Sequence, residues 1–314
     1  MARIGTWNIQ NLFRHGSPDG PSTPEAYEAK VAALASSITV LAPDVLAVQE
    51  VGDPEALGDV AERIGGQWHI ETAAPDSRGI RCGFLSRVPL TRVTGVSMFP
   101  PGLAPIQADD DGGTISRLGR AALSVRAEFA DAGPVDLVCC HLKSKLLTFG
   151  ENRFSTRDEG LRARVAAFAV YRRAAEAVTV RAHATKLLGG HGQERKVLVL
   201  GDLNDTPEAA TTQILLGPPG SEIGTAGFDR PDQGDGQRLW NLAPLIPEAN
   251  RYSRRYRGRN ELIDHILASA AVAQSLKDGD IDVPAGPPPS IEDDPHELRD
   301  LPGSDHRPLV VTVT

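Results

Sequence analysis

Strand-like segments of this sequence end repeatedly in carboxylate, imidazole or carboxamide side chains. In KVLVLGDLND, four apolar residues lead through Gly201 to Asp202 and Asn204. The backbone preferences of Gly, Asp and Asn would explain one such ending as a turn. Similar endings occur at Asn8, Glu50, His141, Asp264 with His265, and Asp305 with His306. Because so many polar endings are not explained by separate turns, we expect them to meet in one site.

The residue types in this set favour a metal and proton transfer. Carboxylate and amide oxygens without thiolates suit a hard cation, so we expect Mg²⁺, with Mn²⁺ as a possible substitute. Histidines beside such a cation can transfer protons near neutral pH. A histidine paired with a carboxylate has its tautomer fixed and its protonated form stabilised. Together these groups indicate metal-assisted cleavage of a phosphate ester.

Short apolar and β-branched segments are the predicted strands that position these side chains. The predicted strands cover residues 3–9, 44–51, 80–86, 121–129, 135–142, 196–201, 262–268 and 306–314. Predicted helices cover 23–41, 54–64 and 157–188, and long loops cover 100–113 and 284–304. Thr23 is a predicted helix cap, followed by Pro24 in the first turn. His265 is adjacent to Asp264, so strand alternation directs it to the opposite face, as a core histidine or one supporting the site.

Composition indicates an ordinary water-soluble protein. Strands and helices mix along all 314 residues without a repeat or linker, which predicts one α/β domain over 1–314. The net charge of −8 means that affinity for nucleic acid needs a local basic patch or metal ions. Three cysteines form no disulfide framework, and neither a signal peptide nor an apolar run of roughly 18 residues is present. We therefore expect a cytoplasmic protein with no membrane span.

Six motifs give the sequence a family resemblance. They are TWNIQN, AVQE, CHLKSK, GDLNDTP, LIDHIL and SDHRPL. In this order they resemble the endonuclease/exonuclease/phosphatase family, which includes pancreatic-type deoxyribonuclease, apurinic/apyrimidinic endonucleases, neutral sphingomyelinases and inositol polyphosphate 5-phosphatases. The resemblance covers nearly the whole chain. It implies a four-layer α/β (α+β) sandwich of two mixed sheets packed face to face, with helices on the outer faces, and hydrolysis of phosphodiesters or phosphomonoesters.

The resemblance also implies a metal site. Glu50 matches the principal metal ligand of the family, and Asn8 and Asp305 would complete the surroundings of the cation. Whether one or two metal ions bind is left open by the sequence.

The catalytic residues implied by the resemblance include a carboxylate–imidazole pair, Asp264 and His306. Members of the family are argued to activate water with this histidine or with the aspartate that matches Asp202. We favour His306 as the base or as a phosphate contact, with Asp202 and Asn204 orienting the water and the phosphate. His141 would donate to a phosphoryl oxygen or assist the leaving group.

A basic segment precedes the strand that carries Asp264. Residues 251–265 read RYSRRYRGRNELIDH, in which Arg255 and Arg257 lie among tyrosines that could stack on bases. Solvated loop arginines are the alternative interpretation. Further candidates for phosphate contacts are Lys143, Arg81, Arg120 and Arg157.

The leading hypothesis is therefore a Mg²⁺-dependent phosphodiesterase that acts on nucleic acid. The first alternative keeps the chemistry but takes a small phosphate ester, such as an inositol phosphate or a phospholipid head group. The second is a non-catalytic interaction module on the same fold, since fold does not dictate function. No protein partner can be inferred.

Overall fold

The computed structural model describes residues 1–149, 154–284, 286–292 and 298–314. Its α-helices are α1 (Pro24–Leu41), α2 (Pro54–Ile64), α3 (Glu159–Leu188), α4 (Ala210–Gln213) and α5 (Ala270–Ala273). The first strands are β1 (Ala2–Leu12), β2 (Val45–Val51), β3 (His69–Thr72), β4 (Arg81–Ser86), β5 (Leu90–Met98), β6 (Ile106–Gln107), β7 (Thr114–Ile115), β8 (Arg117–Phe129) and β9 (Gly133–His141). The remaining strands are β10 (Lys196–Asp202), β11 (Trp240–Asn241), β12 (Arg254–Tyr256), β13 (Arg259–Glu261), β14 (Asp264–Ala268), β15 (Ile281–Asp282), β16 (Ser290–Ile291) and β17 (Leu309–Val313).

Two mixed six-stranded sheets form the centre of the protein. The strand order is β15-β17-β1-β2-β4-β3 in the first sheet and β11-β14-β10-β9-β8-β5 in the second. In the first sheet β1 runs parallel to β2 and antiparallel to β17. In the second sheet β10 runs parallel to β9 and antiparallel to β14. A small third sheet has the order β13-β12-β16.

Apolar side chains define four layers. Ile4 and Phe84 of the first sheet share one core with Leu137 and Leu200 of the second, so the two sheets pack face to face. The outer face of the first sheet packs against α1 and α2, in a cluster that contains Trp7, Val48, Leu34 and Leu57. The outer face of the second sheet packs against α3, in a cluster that contains Val138, Val199, Val180 and Leu188. The predicted four-layer sandwich is confirmed.

The predicted helices are present, and side-chain caps begin them. The Thr23 hydroxyl accepts a hydrogen bond from the Ala26 N–H at 3.1 Å, with Pro24 in the first turn of α1. The third helix begins two residues later than predicted, because Asp158 is its cap and accepts from the Leu161 N–H. Among the described residues, no helix is both long enough and apolar enough to cross a membrane.

Several strands were not predicted. The largest is β5, a strand at the edge of the second sheet whose residues are mostly exposed, so it lacks the apolar run that marks a buried strand. The predicted loop 100–113 contains β6, which pairs with β7. The predicted loop 284–304 contains β16 and includes positions 285 and 293–297, which lie outside the described residues.

Candidate active site

Three predicted site residues lie side by side across three adjacent strands. Asp202 at the end of β10 is in register with His141 at the end of β9 and with Asp264 at the start of β14. Leu200 and Cys139 belong to the core between the sheets, so strand alternation places Asp202 and His141 on the same inner face. The His141 Nε2 atom lies 3.5 Å from Asp202 Oδ2.

Gly201 makes this alignment possible. Its φ is +145°, and a Cβ atom built there would overlap the carbonyl oxygen of Cys140 on the neighbouring strand. Any side chain at this position would therefore push β9 and β10 apart immediately before Asp202. Gly201 is therefore needed both for its positive φ and for the lack of a Cβ atom between β9 and β10.

The residues after β10 form a compact turn that orients the site. Asn204 has φ +55°, its backbone N–H donates to Asp202 Oδ1 at 2.8 Å, and its side-chain Nδ2 donates to the Leu142 carbonyl at 3.0 Å. The next residue, Asp205, accepts hydrogen bonds from Arg173 Nε at 3.0 Å and from the Thr211 hydroxyl at 2.6 Å. The turn is thus joined both to the end of β9 and to α3.

His265 lies on the opposite face, as predicted from strand alternation. Its Nε2 donates to the Asp205 carbonyl at 2.9 Å, and its Nδ1 accepts from Asn241 Nδ2 at 3.1 Å. Burial lowers the pKa of His265, in keeping with a neutral imidazole. His265 thus stabilises the turn after β10 through the Asp205 carbonyl and does not face the cavity.

An irregularity between β1 and β2 directs Glu50 into the site. Val48 packs against the outer helices and Gln49 contacts Cys139 of the other sheet, so regular alternation would turn Glu50 outward. The residue instead has φ +63° at a register shift between the two strands. Its carboxylate accepts from Asn8 Nδ2 at 3.2 Å and from the Asn11 N–H at 2.9 Å. Such bulges commonly re-aim side chains beside active sites.

Asn8 connects the two sheets. Its Nδ2 also donates to Asp202 Oδ2 at 3.1 Å, so one carboxamide contacts a carboxylate from each sheet. Its Oδ1 accepts from the Gln10 N–H at 3.0 Å, which fixes the orientation of the amide.

His306 and Asp264 form a buried pair. His306 Nδ1 lies 2.6 Å from Asp264 Oδ2. The segment that carries His306 is attached to β1, because Trp7 Nε1 donates to the His306 carbonyl at 2.9 Å and the Ser304 hydroxyl donates to the Asn8 carbonyl at 2.6 Å. Since Nδ1 faces Asp264, Nε2 is the imidazole nitrogen that can contact water or a phosphate.

Burial and crowding shift the pKa values of this group. Burial and the Asp264 carboxylate raise the pKa of Asp202 to about 7. Burial also raises the pKa of Asp305, and the nearby Glu50 adds to the rise. Burial opposes protonation of His306, but the carboxylates of Asp264 and Asp305 outweigh it and raise the His306 pKa to about 10.

His141 differs from His306. Burial and the positive charge of Arg120 lower the pKa of His141 well below its ordinary value, which favours a neutral ring. Its Nδ1 is buried and has no hydrogen-bond partner among the described residues. A neutral imidazole of this kind can donate one N–H without bringing a charge.

The predicted catalytic and metal residues surround one cavity of about 500 Å³. Its lining includes Glu50, His141, Asp202, Asn204, Asp305 and His306. Asn8 and Asp264 lie beneath these residues, in contact with them through the hydrogen bonds given above. The structure thus brings together side chains from both sheets, while the chemical role of each stays a prediction.

Of the predicted phosphate contacts, Arg120 lines this cavity, whereas five others are not among its lining residues in the described part of the chain. Lys143 Nζ donates to the carbonyls of Ser144 and Leu146, because β9 ends at His141 and alternation does not continue. Arg81 donates to the carbonyls of Gly52 and Gly79. Of the others, Arg157 is exposed before α3, Arg255 is half-buried on β12, and exposed Arg257 lies 3.6 Å from Glu292. Their roles as phosphate contacts stay predictions.

Other cations line the cavity among the described residues. They are Arg78, Arg120, Lys145, Arg162 and Arg254. Of these, Arg120 is a predicted phosphate contact, and Arg254 belongs to the predicted basic segment without being singled out by the sequence. Arg254 and Tyr256 both line the cavity and are two residues apart on β12. Side chains two residues apart share one face of a strand, and this spacing is the sequence feature that could have predicted that both face the cavity.

The ligand types fit a divalent cation. Glu50, Asp202 and Asp305 supply carboxylate oxygens to the cavity. Asn8 orients the first two through its Nδ2, while its Oδ1 accepts from the Gln10 N–H. Asp202, Asp264 and His306 also offer ligand atoms within 4.8 Å of one another. The Oδ1 atom of Asp264 is buried and lacks a hydrogen-bond partner in the described part of the chain. Crowded carboxylates with raised pKa values would be stabilised in their ionised form by a hard cation.

Comparisons with known proteins agree with this architecture. The model of the endonuclease/exonuclease/phosphatase family matches residues 5–306, and the chain therefore belongs to that family, whose members are typically hydrolases of phosphate esters. No curated protein sequence matches significantly.

Solved structures with a similar fold include three from different sources. The catalytic domain of human Nocturnin with bound sulfate aligns with a TM-score of 0.57 at 14% identity, covering 100% of this chain and 94% of that one. Truncated TDP2 of Caenorhabditis elegans aligns with a TM-score of 0.56 at 14% identity, covering 98% and 95%. An endonuclease/exonuclease/phosphatase from Bacteroides vulgatus aligns with a TM-score of 0.57 at 13% identity, covering 100% and 99%. At these identities the similarity concerns the fold.

Proposed function

We propose that the protein is a Mg²⁺-dependent phosphodiesterase that cleaves nucleic acid by attack of water. The observation that carries this proposal is the cavity in which Glu50, His141, Asp202 and His306 meet, with Asn8 joining the carboxylates of the two sheets. This set offers metal ligands, an acid–base pair and hydrogen-bond donors within one cavity, which is what phosphoester hydrolysis requires.

Each side chain has a role that its contacts support. Asp264 orients His306 so that Nε2 faces the cavity. Because the His306 pKa is raised to about 10, the ring is protonated near neutral pH and donates to a phosphoryl oxygen; it takes a proton from water only where a bound cation lowers that pKa. Asp202 is the alternative base, and Asn204 braces its carboxylate through the backbone N–H. His141 donates to a phosphoryl oxygen or to the leaving group. Loss of one such positioned donor costs roughly 10²–10³ in rate in comparable sites.

The metal would be bound by Glu50 and Asp305, with the Asn8 amide close by. A bound Mg²⁺ would supply Lewis-acid polarisation of the phosphoryl group and neutralise developing negative charge. Glu50 suits this role because its side chain is 20% exposed at the cavity while Asn8 and Asn11 orient its oxygens.

A small phosphate ester is the second candidate substrate, and a specific observation favours it. Two arginines of the basic segment lie beside carboxylates of the protein itself: Arg254 pairs with Glu261 at 2.8 Å, and Arg257 lies 3.6 Å from Glu292. Paired arginines attract a polyanion less than free ones, and the net charge is −8. Tyr256 at the cavity, available for stacking on a base, favours nucleic acid.

The deciding experiment is a substrate panel. Purified protein is assayed on DNA, RNA, sphingomyelin and inositol phosphates, with Mg²⁺ or with EDTA. We expect cleavage of a nucleic acid that EDTA abolishes and that Glu50→Gln reduces by roughly 10²–10³-fold. The matched control is Glu62→Gln, an exposed glutamate on α2. Cleavage confined to a small ester would transfer the function to the second candidate, and full activity of Glu50→Gln would contradict the metal role.

A further inference from the structure

Arg254 is a mostly buried cation in the wall of the catalytic cavity. It begins β12, and its side chain is only 15% exposed. Its backbone forms an isolated antiparallel bridge with His306, which lies on the same cavity. Backbone pairing with His306 therefore holds the Arg254 guanidinium close to the predicted acid–base pair, Asp264 and His306.

Among the described residues, Arg254 uses little of its hydrogen-bonding capacity. One terminal nitrogen donates to Glu261 Oε2 at 2.8 Å, from the residue opposite it in the β12–β13 register. Its Nε is buried and has no partner among the described residues. A guanidinium carries five N–H donors, and a buried donor without an acceptor costs about 1–3 kcal/mol. A ligand with several oxygens would satisfy these donors.

The charges around Arg254 also favour a role in binding a phosphate. Burial opposes the charge of Arg254, but Glu261 and the carboxylates of Asp202 and Asp305 outweigh it and raise the Arg254 pKa. The guanidinium thus remains charged beside the carboxylates that are predicted to orient water and metal. Glu261 holds one terminal nitrogen of the group, which limits its rotation and helps a bidentate contact to a phosphate.

Arg120 lies at the other end of the site. It belongs to β8, next to β9 and His141, and its Nε contacts Asp76 Oδ2 at 3.2 Å. The two arginines therefore flank the line formed by His141, Asp202 and Asp264. Arg254 is the arginine at the end of the cavity where His306 lies.

We propose that Arg254 is a catalytic residue that donates Nε–H and a terminal N–H to non-bridging oxygens of the phosphoryl group being cleaved. This proposal rests on the proposed function and adds one contact to it, between Arg254 and the phosphoryl group. It makes a distinction that can be tested: a contact to the scissile group acts on every substrate, whereas a contact to a flanking phosphate acts only on substrates that have one.

The kinetic test uses Arg254→Gln and Arg254→Lys on two substrates. Bis(para-nitrophenyl) phosphate has a single phosphate, and a short oligonucleotide has flanking ones. We expect Arg254→Gln to lower kcat/KM on both by roughly 10²–10³-fold, with Arg254→Lys recovering part of the loss because it keeps the charge but not the fork. The control is Arg63→Gln, an exposed arginine on α2 that lies 3.4 Å from Glu28. An unchanged rate on the single-phosphate substrate would overturn the proposal.

A binding test separates this inference from the proposed function. Calorimetric titration with inorganic phosphate, with Mg²⁺ present, needs no turnover. We expect Arg254→Gln and Arg254→Lys, checked for folding by near-UV circular dichroism, to bind phosphate at least roughly tenfold more weakly than the unmodified protein. Equal binding by a folded Arg254→Gln protein would overturn the contact. Binding that depends on Arg254 without hydrolysis of any ester would support the contact and overturn the proposed function.

Discussion

Asp264 Oδ2 lies 2.6 Å from His306 Nδ1, although Asp264 belongs to the second sheet and His306 to the segment that leads into the first. Asp264 begins β14 of the second sheet, while His306 precedes β17 of the first. The Asp264 side chain is 0% exposed, so this contact is shielded from water. The pair is therefore both a part of the site and a polar connection between the two layers.

We predict that Asp264→Asn strongly impairs catalysis. The asparagine keeps the size of the side chain but removes the charge that fixes the imidazole, so His306 loses its orientation and the rise in its pKa. Acid–base contributions of this kind are worth roughly 10²–10⁴ in rate, and kcat on the best substrate of the panel measures the loss. The control is Asp282→Asn, an exposed carboxylate 3.6 Å from Arg3. A loss under about tenfold would contradict the role given to the pair.

A second prediction concerns Gly201. Gly201→Ala should destabilise the fold by about 3 kcal/mol or more, because its Cβ overlaps the Cys140 carbonyl in a conformation that L-residues rarely adopt. Urea unfolding measures the change. Gly58→Ala is the matched control: it lies within α2 with open space around its Cβ position, so it should stabilise by up to about 1 kcal/mol. Equal effects of the two substitutions would refute the steric account.

The third prediction addresses metal binding through stability. Asp305 is half-buried, and desolvation together with Glu50 raises its pKa, so Asp305→Asn should not lower the melting temperature when EDTA is present. Saturating Mg²⁺ should raise the melting temperature of the unmodified protein by linkage, and Asp305→Asn should lose that increase. Differential scanning calorimetry with and without Mg²⁺ provides the measurement. An undiminished Mg²⁺ effect in the variant would remove Asp305 from the set of ligands.

The fourth prediction is a pH dependence at Asp205. Burial alone would raise the pKa of this carboxyl, but the Thr211 hydroxyl and the charge of Arg173 lower it below its ordinary value. A depressed carboxylate pKa contributes stability above the unfolded value, and the contribution is lost as pH falls through the folded value. At neutral pH Asp205→Asn should cost about 1.5–3 kcal/mol, the range for a hydrogen bond to a charged group.

The measurement for Asp205 is urea unfolding at a series of pH values. The difference between the unmodified protein and Asp205→Asn should stay constant down to about pH 4 and then shrink. A difference that grows as the pH falls would mean that the carboxyl is stabilised in its neutral form.

The strands and the residues at their ends were predictable because apolar runs and polar strand ends are local signals, whereas the four-layer arrangement followed from the family resemblance. KVLVLGD specifies both a buried strand and the residues at its end, and each of the polar strand ends identified in the sequence is found near the cavity or, for His265, behind it. The predicted direction of His265 followed from alternation alone and is confirmed by its contact with Asp205. Signals of this type do not depend on the partner strand.

The cavity lining was harder to predict because it depends on backbone departures and on register. Glu50 is directed inward by a positive φ at a bulge, which depends on how β1 and β2 pair. Lys143 follows His141 by two residues and would share its face in a continuing strand, but β9 ends at His141. The register of β12 decides which arginine of the basic segment lines the cavity. The composition of the segment does not predict that register.

The apolar core between the sheets has a consequence for the chemistry. The first sheet supplies Asn8 and Glu50, the second supplies His141, Asp202 and Asp264, and Leu200, Phe84 and their neighbours set the spacing between them. An enlarged or shrunken interior residue would alter the gap between the two halves of the site without touching a polar atom. Substitutions far from the cavity, in the hydrophobic interlayer, are therefore a means of tuning turnover through geometry alone.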